Sequence, residues 1–257
     1  MPSRRVADPA ERDPDDLRPD VLTIDRRAVL RSLVVVAIAL FLLHYAVMYL
    51  RFAHDRGFLL GFAGFGNVDE EESLATYVQS LQLLAAAVLL FAIGRHARRT
   101  GAAHAVGWLA LAAIFLYLSL DEATLLHERL IVPLQRAFDA SGPFFFAWVL
   151  VAIPLVVVLA VLYLPFLRDL EPRTRNGFLL AGFLYLCGTL GMEMVGGVWA
   201  DDRSFIDPVY LNVIVPIEEA FEVAGQLVFL STLLAYVART QPISTIRVVD
   251  RMRAGVT

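Results

Sequence analysis

The sequence predicts an all-α fold: a polytopic membrane protein, built as a bundle of six transmembrane helices with both termini in the cytoplasm. Three observations predict it. Hydrophobic residues make up 58% of the 257 and charged residues 19%, with mean hydropathy +0.63, so the chain lacks the polar share of a soluble domain. The charges gather into short stretches between six apolar runs, each long enough to cross about 30 Å of hydrocarbon. Arginine supplies all the strong cations, since there is no lysine, and most of it falls on one side of a six-span topology.

Residues 1–24 mix Pro, Asp and Arg with few apolar groups and read as a disordered cytoplasmic tail. The first apolar run begins too far in, and is too long, to be the core of a cleaved signal peptide. The spans fall near 29–50, 74–94, 105–126, 145–167, 177–198 and 212–238, which makes 25–240 the transmembrane domain. Between the first two, RGFLLGFAGFGN sets Phe58, Phe62 and Phe65 among glycines as an aromatic-anchored outer loop. Asp69 to Glu72 then read as a helix N-terminus at headgroup level. The fourth span, Phe144 to Leu167, is apolar throughout and suits contact with lipid or with a membrane-protein partner. In the fifth, Gly188, Gly191, Gly196 and Gly197 let helices approach closely. Residues 241–257 form a basic cytoplasmic tail, in which Ile243 to Met252 alternate Arg with Ile, Val and Met, as a short segment on the inner leaflet or a solvated tail does.

Orientation comes from the arginines. Arg4, Arg5, Arg12, Arg18, Arg26, Arg27 and Arg31 precede the first span, and Arg95, Arg98 and Arg99 follow the second. Arg168, Arg173 and Arg175 follow the fourth, and Arg239, Arg247, Arg251 and Arg253 follow the sixth. The positive-inside rule therefore predicts a multi-pass protein of the cell inner membrane with these loops in the cytoplasm.

Several chemistries are excluded. Without lysine there is no Schiff base, and with Cys187 as the single cysteine there is no disulfide, iron–sulfur cluster or thiolate zinc site within one chain. No glycine-rich phosphate loop joins a strand to a helix, and nothing supports nucleic-acid binding.

What remains is a set of acids where a bilayer disfavours them: Asp121, Glu122, Glu128, Glu193, Glu218, Glu219 and Glu222, all in or beside apolar spans. An ionised group in hydrocarbon costs several kcal/mol, so such groups face a protein interior, pair with cations or take up protons. By helical rise, Asp121 lies roughly 24 Å from the cytoplasmic start of span three, and Glu218 and Glu222 lie roughly 10–16 Å below the outer end of span six. The cluster thus belongs to the outer half of the membrane. In LSLDEATLLHERL, Asp121, Thr124 and Glu128 share one helical face, bordered by His127; Glu218, Glu222 and Gln226 form a second stripe. Pro216 cannot donate to the Asn212 carbonyl, which frees an oxygen in the same region.

Carboxylates with one or two imidazoles suit Fe²⁺, Mn²⁺ or Zn²⁺. The candidate ligands are Asp121, Glu122, His127, Glu128, Glu193, Glu218, Glu219 and Glu222, with His44 and Gln79 as additional candidates. Each has a plainer reading: Asp121 to Glu128 as a solvated helix end, Glu218 and Glu219 as an ordinary acidic helix start, His44 as a hydrogen-bonded core histidine.

Glu219-x-x-Glu222, with acids on the neighbouring spans, resembles the carboxylate-bridged di-metal bundles, although those carry His where Glu222 stands. The three-histidine zinc site of membrane ceramidase-like hydrolases is matched less well, by His44 and His127 alone. Ser119-x-Asp121-Glu122 followed by His127-Glu128 resembles a string found in uncharacterised bacterial membrane proteins, a likeness that covers one helix and implies no activity.

The leading expectation is a bound divalent metal, and the catalysis it would support is that of a hydrolase or oxidoreductase, through metal-activated water or redox at the metal. Two other readings use the same acids: a proton or cation carrier or channel, and an accessory subunit of a larger membrane complex.

Overall fold

The computed structural model describes residues 22–54, 64–68, 73–203, 207–240 and 246–249. The N-terminal tail to residue 21, most of the first outer loop, Asp69 to Glu72 and most of the C-terminal tail lie outside the described residues. The chain runs β1 (Leu22–Asp25), α1 (Arg26–His54), α2 (Leu74–Thr100), α3 (Ala105–Thr124), α4 (Ile131–Phe138), α5 (Val149–Asp169), α6 (Pro172–Leu186), α7 (Glu193–Asp202), α8 (Val215–Thr240) and β2 (Ile246–Val249). A π-helical turn, Cys187–Met192, joins α6 to α7, and a second, Tyr210–Ile214, leads into α8.

Among the described residues six stretches are long and apolar enough to cross a membrane: Arg26–Ala53, Leu74–Thr100, Ala105–Thr124, Val149–Asp169, Pro172–Asp202 and Tyr210–Thr240. The chain is a membrane protein whose outer helix faces meet lipid. The expected spans are all present, and their ends move by a few residues.

The helix ends have local causes. Asp25 Oδ1 accepts from the amides of Arg27 (2.9 Å) and Ala28 (3.4 Å), capping α1. Ser73 caps α2 by accepting from the Thr76 amide at 3.1 Å. Gly101 closes α2 in the left-handed conformation, φ 67°, its amide bonded to the Ala97 carbonyl. The tight α2–α3 hairpin beyond it leaves no room for a side chain at Gly94, where a Cβ would lie 2.8 Å from Leu109.

Glycine also sets the α6–α8 crossing. A Cβ at Gly177 would fall 2.4 Å from Thr232 Oγ1, at Gly188 2.7 Å from Glu222 Cγ, and at Gly225 2.7 Å from the Tyr185 amide nitrogen. Small residues permit this approach; of the four glycines expected to do so, Gly188 lies at this crossing, Gly197 lies against Gly142, and Gly191 meets no neighbouring helix.

The second π turn explains a histidine. Because the Val215 amide reaches back to Tyr210, the Leu211 carbonyl loses its usual helical donor; Pro216 has no amide to give Asn212. Both oxygens are met from α1. His44 Nε2 bonds the Leu211 carbonyl at 2.9 Å, and the Tyr45 hydroxyl reaches the Asn212 carbonyl at 3.4 Å. The oxygen freed by Pro216 therefore faces α1, not the acids.

The tails differ from expectation. Leu22–Asp25 pairs in parallel with Ile246–Val249, Leu22 opposite Ile246 and Asp25 opposite Val249, with Val248 buried against the bundle. Paired backbone satisfies donors and acceptors that an isolated tail leaves to water. The segments before α1 and after α8 thus meet at one end of the bundle. A second unexpected element is α4, a short helix between α3 and α5 with no buried residue, whose Val132 and Phe138 are exposed beside Arg136.

Candidate functional site

The acids gather toward the end of the bundle opposite the β1–β2 pair, where α3 ends and α8 begins. A strained turn builds the first part. α3 stops at Thr124 because Leu125 takes a left-handed conformation, φ 54°, and its amide bonds the Asp121 carbonyl at 2.6 Å. The reversal carries His127 back onto Asp121: the His127 amide donates to Oδ1 at 3.0 Å and Nδ1–H to Oδ2 at 2.8 Å. This corrects the single helical face expected for Asp121, Thr124 and Glu128, since the helix ends before Glu128 is reached. Thr124 instead turns its hydroxyl to the Leu120 carbonyl at 2.6 Å.

Both carboxylate oxygens of Asp121 are engaged by His127, and Tyr117 adds a long contact at 3.4 Å. Asp121 is thereby a positioning residue. It holds the proton on Nδ1 and leaves Nε2 as the imidazole atom open to a ligand or proton. The ring lies 4.6 Å from that of Trp148. Burial favours neutral His127, but the hydrogen bond and charge of Asp121, with the charges of Glu128 and Glu193, outweigh it and raise its pKa above the ordinary histidine value.

The first π turn places the second part. Within it the Glu193 amide reaches back to the Gly188 carbonyl, so one extra residue is held in the turn. That extra residue rotates α7 by about 100° relative to α6, which brings Glu193 inward. Its Oε1 accepts from Trp148 Nε1 at 2.8 Å, and its carboxyl hydrogen-bonds that of Glu218 on α8. One turn further along α8, Glu222 Oε1 accepts from Thr189 at 2.9 Å, inside the same π turn. Glu219 Oε2 accepts from Gln79 Nε2 at 2.6 Å, and Gln79 Oε1 accepts in turn from Gln226 at 2.9 Å. Glu122 interacts electrostatically with His127, Asp121 and Glu222, and half-buried Tyr185 lies within the fields of Glu222, Glu122 and Asp121.

The structure therefore brings together Asp121, Glu122, His127, Glu128, Glu193, Glu218, Glu219 and Glu222, with Gln79 at the edge. His44 it does not: Nδ1 accepts from the Val68 amide at 3.2 Å and Nε2 serves Leu211, so neither ring nitrogen is left for a metal. Trp148, Thr189 and Tyr185 were not singled out by the sequence. Thr189, a polar residue within the glycine-rich stretch of span five, carried a readable signal; Trp148 and Tyr185 look like ordinary apolar lining.

Glu122, Glu193, Glu218 and Glu222 are half-buried although protein surrounds them on most sides, so they line a crevice wide enough to admit water. Among the described residues no three His, Cys, Asp or Glu groups converge closely enough to grip one ion as they stand. The arrangement is a hydrogen-bonded acid cluster with one imidazole.

No curated protein and no solved structure matches the chain. A family model does match, over residues 32–237, from the second turn of α1 to the last turn of α8, which takes in every residue of the cluster; the chain belongs to that family, described as Domain of unknown function (DUF8692).

Proposed function

We propose that the crevice binds a divalent transition metal, Fe, Mn or Zn, through Glu193, Glu218, Glu222 and His127 Nε2, with Glu122, Glu128 and Glu219 close by. One observation carries this reading. The carboxyls of Glu193 and Glu218 interact with each other inside an apolar bundle, and two neighbouring carboxyl groups there call for a proton or a cation between them. Each neighbouring donor is already held by one neutral or charged partner: Trp148 on Glu193, Thr189 on Glu222, Gln79 on Glu219, Asp121 on His127. Such outer partners orient metal ligands. A bound ion would draw the donors inward from their present spacing. If the site is catalytic, the metal supplies activated water or redox chemistry and a spare carboxylate serves as base, in a hydrolase or oxidoreductase.

The arginine distribution supports a cell inner membrane location with cytoplasmic termini, so the crevice opens toward the outer face. A second reading, a proton or cation carrier, is favoured by one fact: no three donors among the described residues yet converge, and a shared proton satisfies Glu193 and Glu218 as they stand. The exposed length of α5 remains compatible with a membrane-protein partner.

Elemental analysis of detergent-purified protein separates these. About one or two Fe, Mn or Zn per chain are expected, with most of it lost in Glu222→Ala. Full occupancy in that variant removes Glu222 from the site. Absence of metal from the parent protein leaves the proton reading, which then requires pH-driven proton uptake into liposomes.

A further inference from the structure

α8 presents its acids in two directions. Glu218 and Glu222 turn toward α7 and the first π turn, whereas Glu219 turns toward α2, where Gln79 Nε2 donates to it at 2.6 Å. Gln226, two turns further along α8, donates to Gln79 Oε1 at 2.9 Å and so fixes which way the Gln79 amide faces. Gln82 stands one turn beyond Gln79 on α2. Gln79, Gln82 and Gln226 are only 2%, 7% and 5% exposed, and among the described residues Gln82 Oε1 and Gln226 Oε1 are buried with no hydrogen-bond partner. A buried amide oxygen left unpaired is destabilising, so two of them in one cluster call for a group that accepts their lone pairs.

Gln79, Gln82 and Glu219 line one small cavity between α1, α2 and α8, with room for about one water-sized particle. Its other walls are apolar, among them Ala37 and Phe41 of α1 and Val68. His44 Nδ1 accepts from the Val68 amide at 3.2 Å, so the histidine that offers no ring nitrogen to a metal fastens one wall of this cavity. Gln82 lies eight residues, roughly 12 Å, along α2 from Leu74 and therefore well inside the span.

We propose that the cavity holds one alkali-metal cation, of sodium or potassium size, bound by the Glu219 carboxylate and the Gln82 amide oxygen, with Gln79 and Gln226 as positioning residues. Oxygen donors without nitrogen or sulfur suit hard cations. One carboxylate balances one positive charge, whereas a divalent ion would leave surplus charge among apolar walls. A proton on Glu219 neutralises it but does not fill the cavity, and a water fills the cavity but does not neutralise Glu219. A monovalent cation does both and also takes the lone pair of Gln82. The site stands whether or not the neighbouring crevice holds a transition metal.

The test is thermal unfolding with isotope binding, on the full chain in detergent after chelation has stripped transition metals. At equal ionic strength, NaCl or KCl should raise the melting temperature by several degrees over choline chloride, whose cation is too large for the cavity. Saturable binding of about one radioactive sodium, or rubidium standing for potassium, per chain should accompany the rise, and the larger rise identifies the ion. Gln82→Leu and Glu219→Gln should each weaken binding about tenfold, whereas Ser80→Ala, on the side of α2 that meets Ser119, should bind as the parent does. Gln82→Leu removes an unpaired buried oxygen, so in choline chloride it should melt no lower than the parent, which separates loss of the ion from loss of the fold. Equal melting in all three salts without saturable binding overturns the proposal and leaves an ordered water in the cavity. So does parental affinity in Gln82→Leu, and so does affinity lost in Glu222→Ala but kept in Gln82→Leu, which puts the ion in the acid crevice. Absence of transition metal from the purified protein bears on the crevice alone.

Discussion

Toward the β1–β2 end, Trp108 packs edge-on against Phe166, Phe229 stacks between Phe115 (4.2 Å) and Phe178 (4.7 Å), and Leu233 and Val237 are fully buried. Toward the other end lie Asp121, Glu193, Glu219 and Glu222, tied by hydrogen bonds to His127, Trp148, Gln79 and Thr189. The aromatic end is held by many small dispersion contacts, any one of which is replaceable. The acid end is held by directional hydrogen bonds, and losing one leaves a polar group short of a partner, which costs more than losing a single dispersion contact. It also contains both π turns and the left-handed Leu125, whereas α2 and α8 run as unbroken α-helix through the aromatic end. Apolar packing and the acid cluster thus lie at different depths of the bundle.

The division can be broken at its apolar side first. Trp108→Ala should cost about 3–5 kcal/mol, read as a lower melting temperature, while metal per folded chain stays at the parental level. Loss of metal in the folded fraction would mean that the two ends are coupled. A smaller effect belongs to the acids. If the proposed metal is bound, Glu193→Gln and Glu222→Gln should each cost about 2 kcal/mol, and the double variant less than the sum, because the two would share one cation. Strict additivity in the melting curves would make them separate sites.

The smallest effect is a pH dependence. Since His127 titrates higher in the folded chain, the imidazolium–Asp121 pair contributes fully below the unfolded value near 6.5 and is lost as pH rises through the folded value. Metal-free protein should lose up to about 1 kcal/mol over that rise, and Asp121→Asn should flatten the curve. A variant with the same slope as the parent would show that the pair is not the cause.

The spans and the acids on them are legible in the sequence because both signals are local: runs of apolar residues, and charges that interrupt them. How the acids meet is not. Asp121 and Glu128 have the spacing of a shared helical face, and only the backbone of Leu125, a residue type that seldom adopts positive φ, cancels it. Pro216 does announce a freed carbonyl, but the π turn before it sends that oxygen toward Tyr45 on a helix distant in the chain. His44 looks like a ligand by depth and proves a brace, since what it serves is a backbone defect that no side chain advertises. The β1–β2 pair joins two four-residue segments, one before α1 and one after α8, too short and too far apart in sequence for either to predict the other.

That pairing also orders events during synthesis. Leu22 leaves the ribosome long before Ile246, some 220 residues or roughly 10–45 s earlier at about 5–20 residues per second. For that interval the helices can insert and the glycine-packed pairs can associate, but the first strand has no partner to receive it. The two-stranded ladder therefore forms only after the sixth span has been made, a latch that a chain cut short before Ile246 cannot fasten.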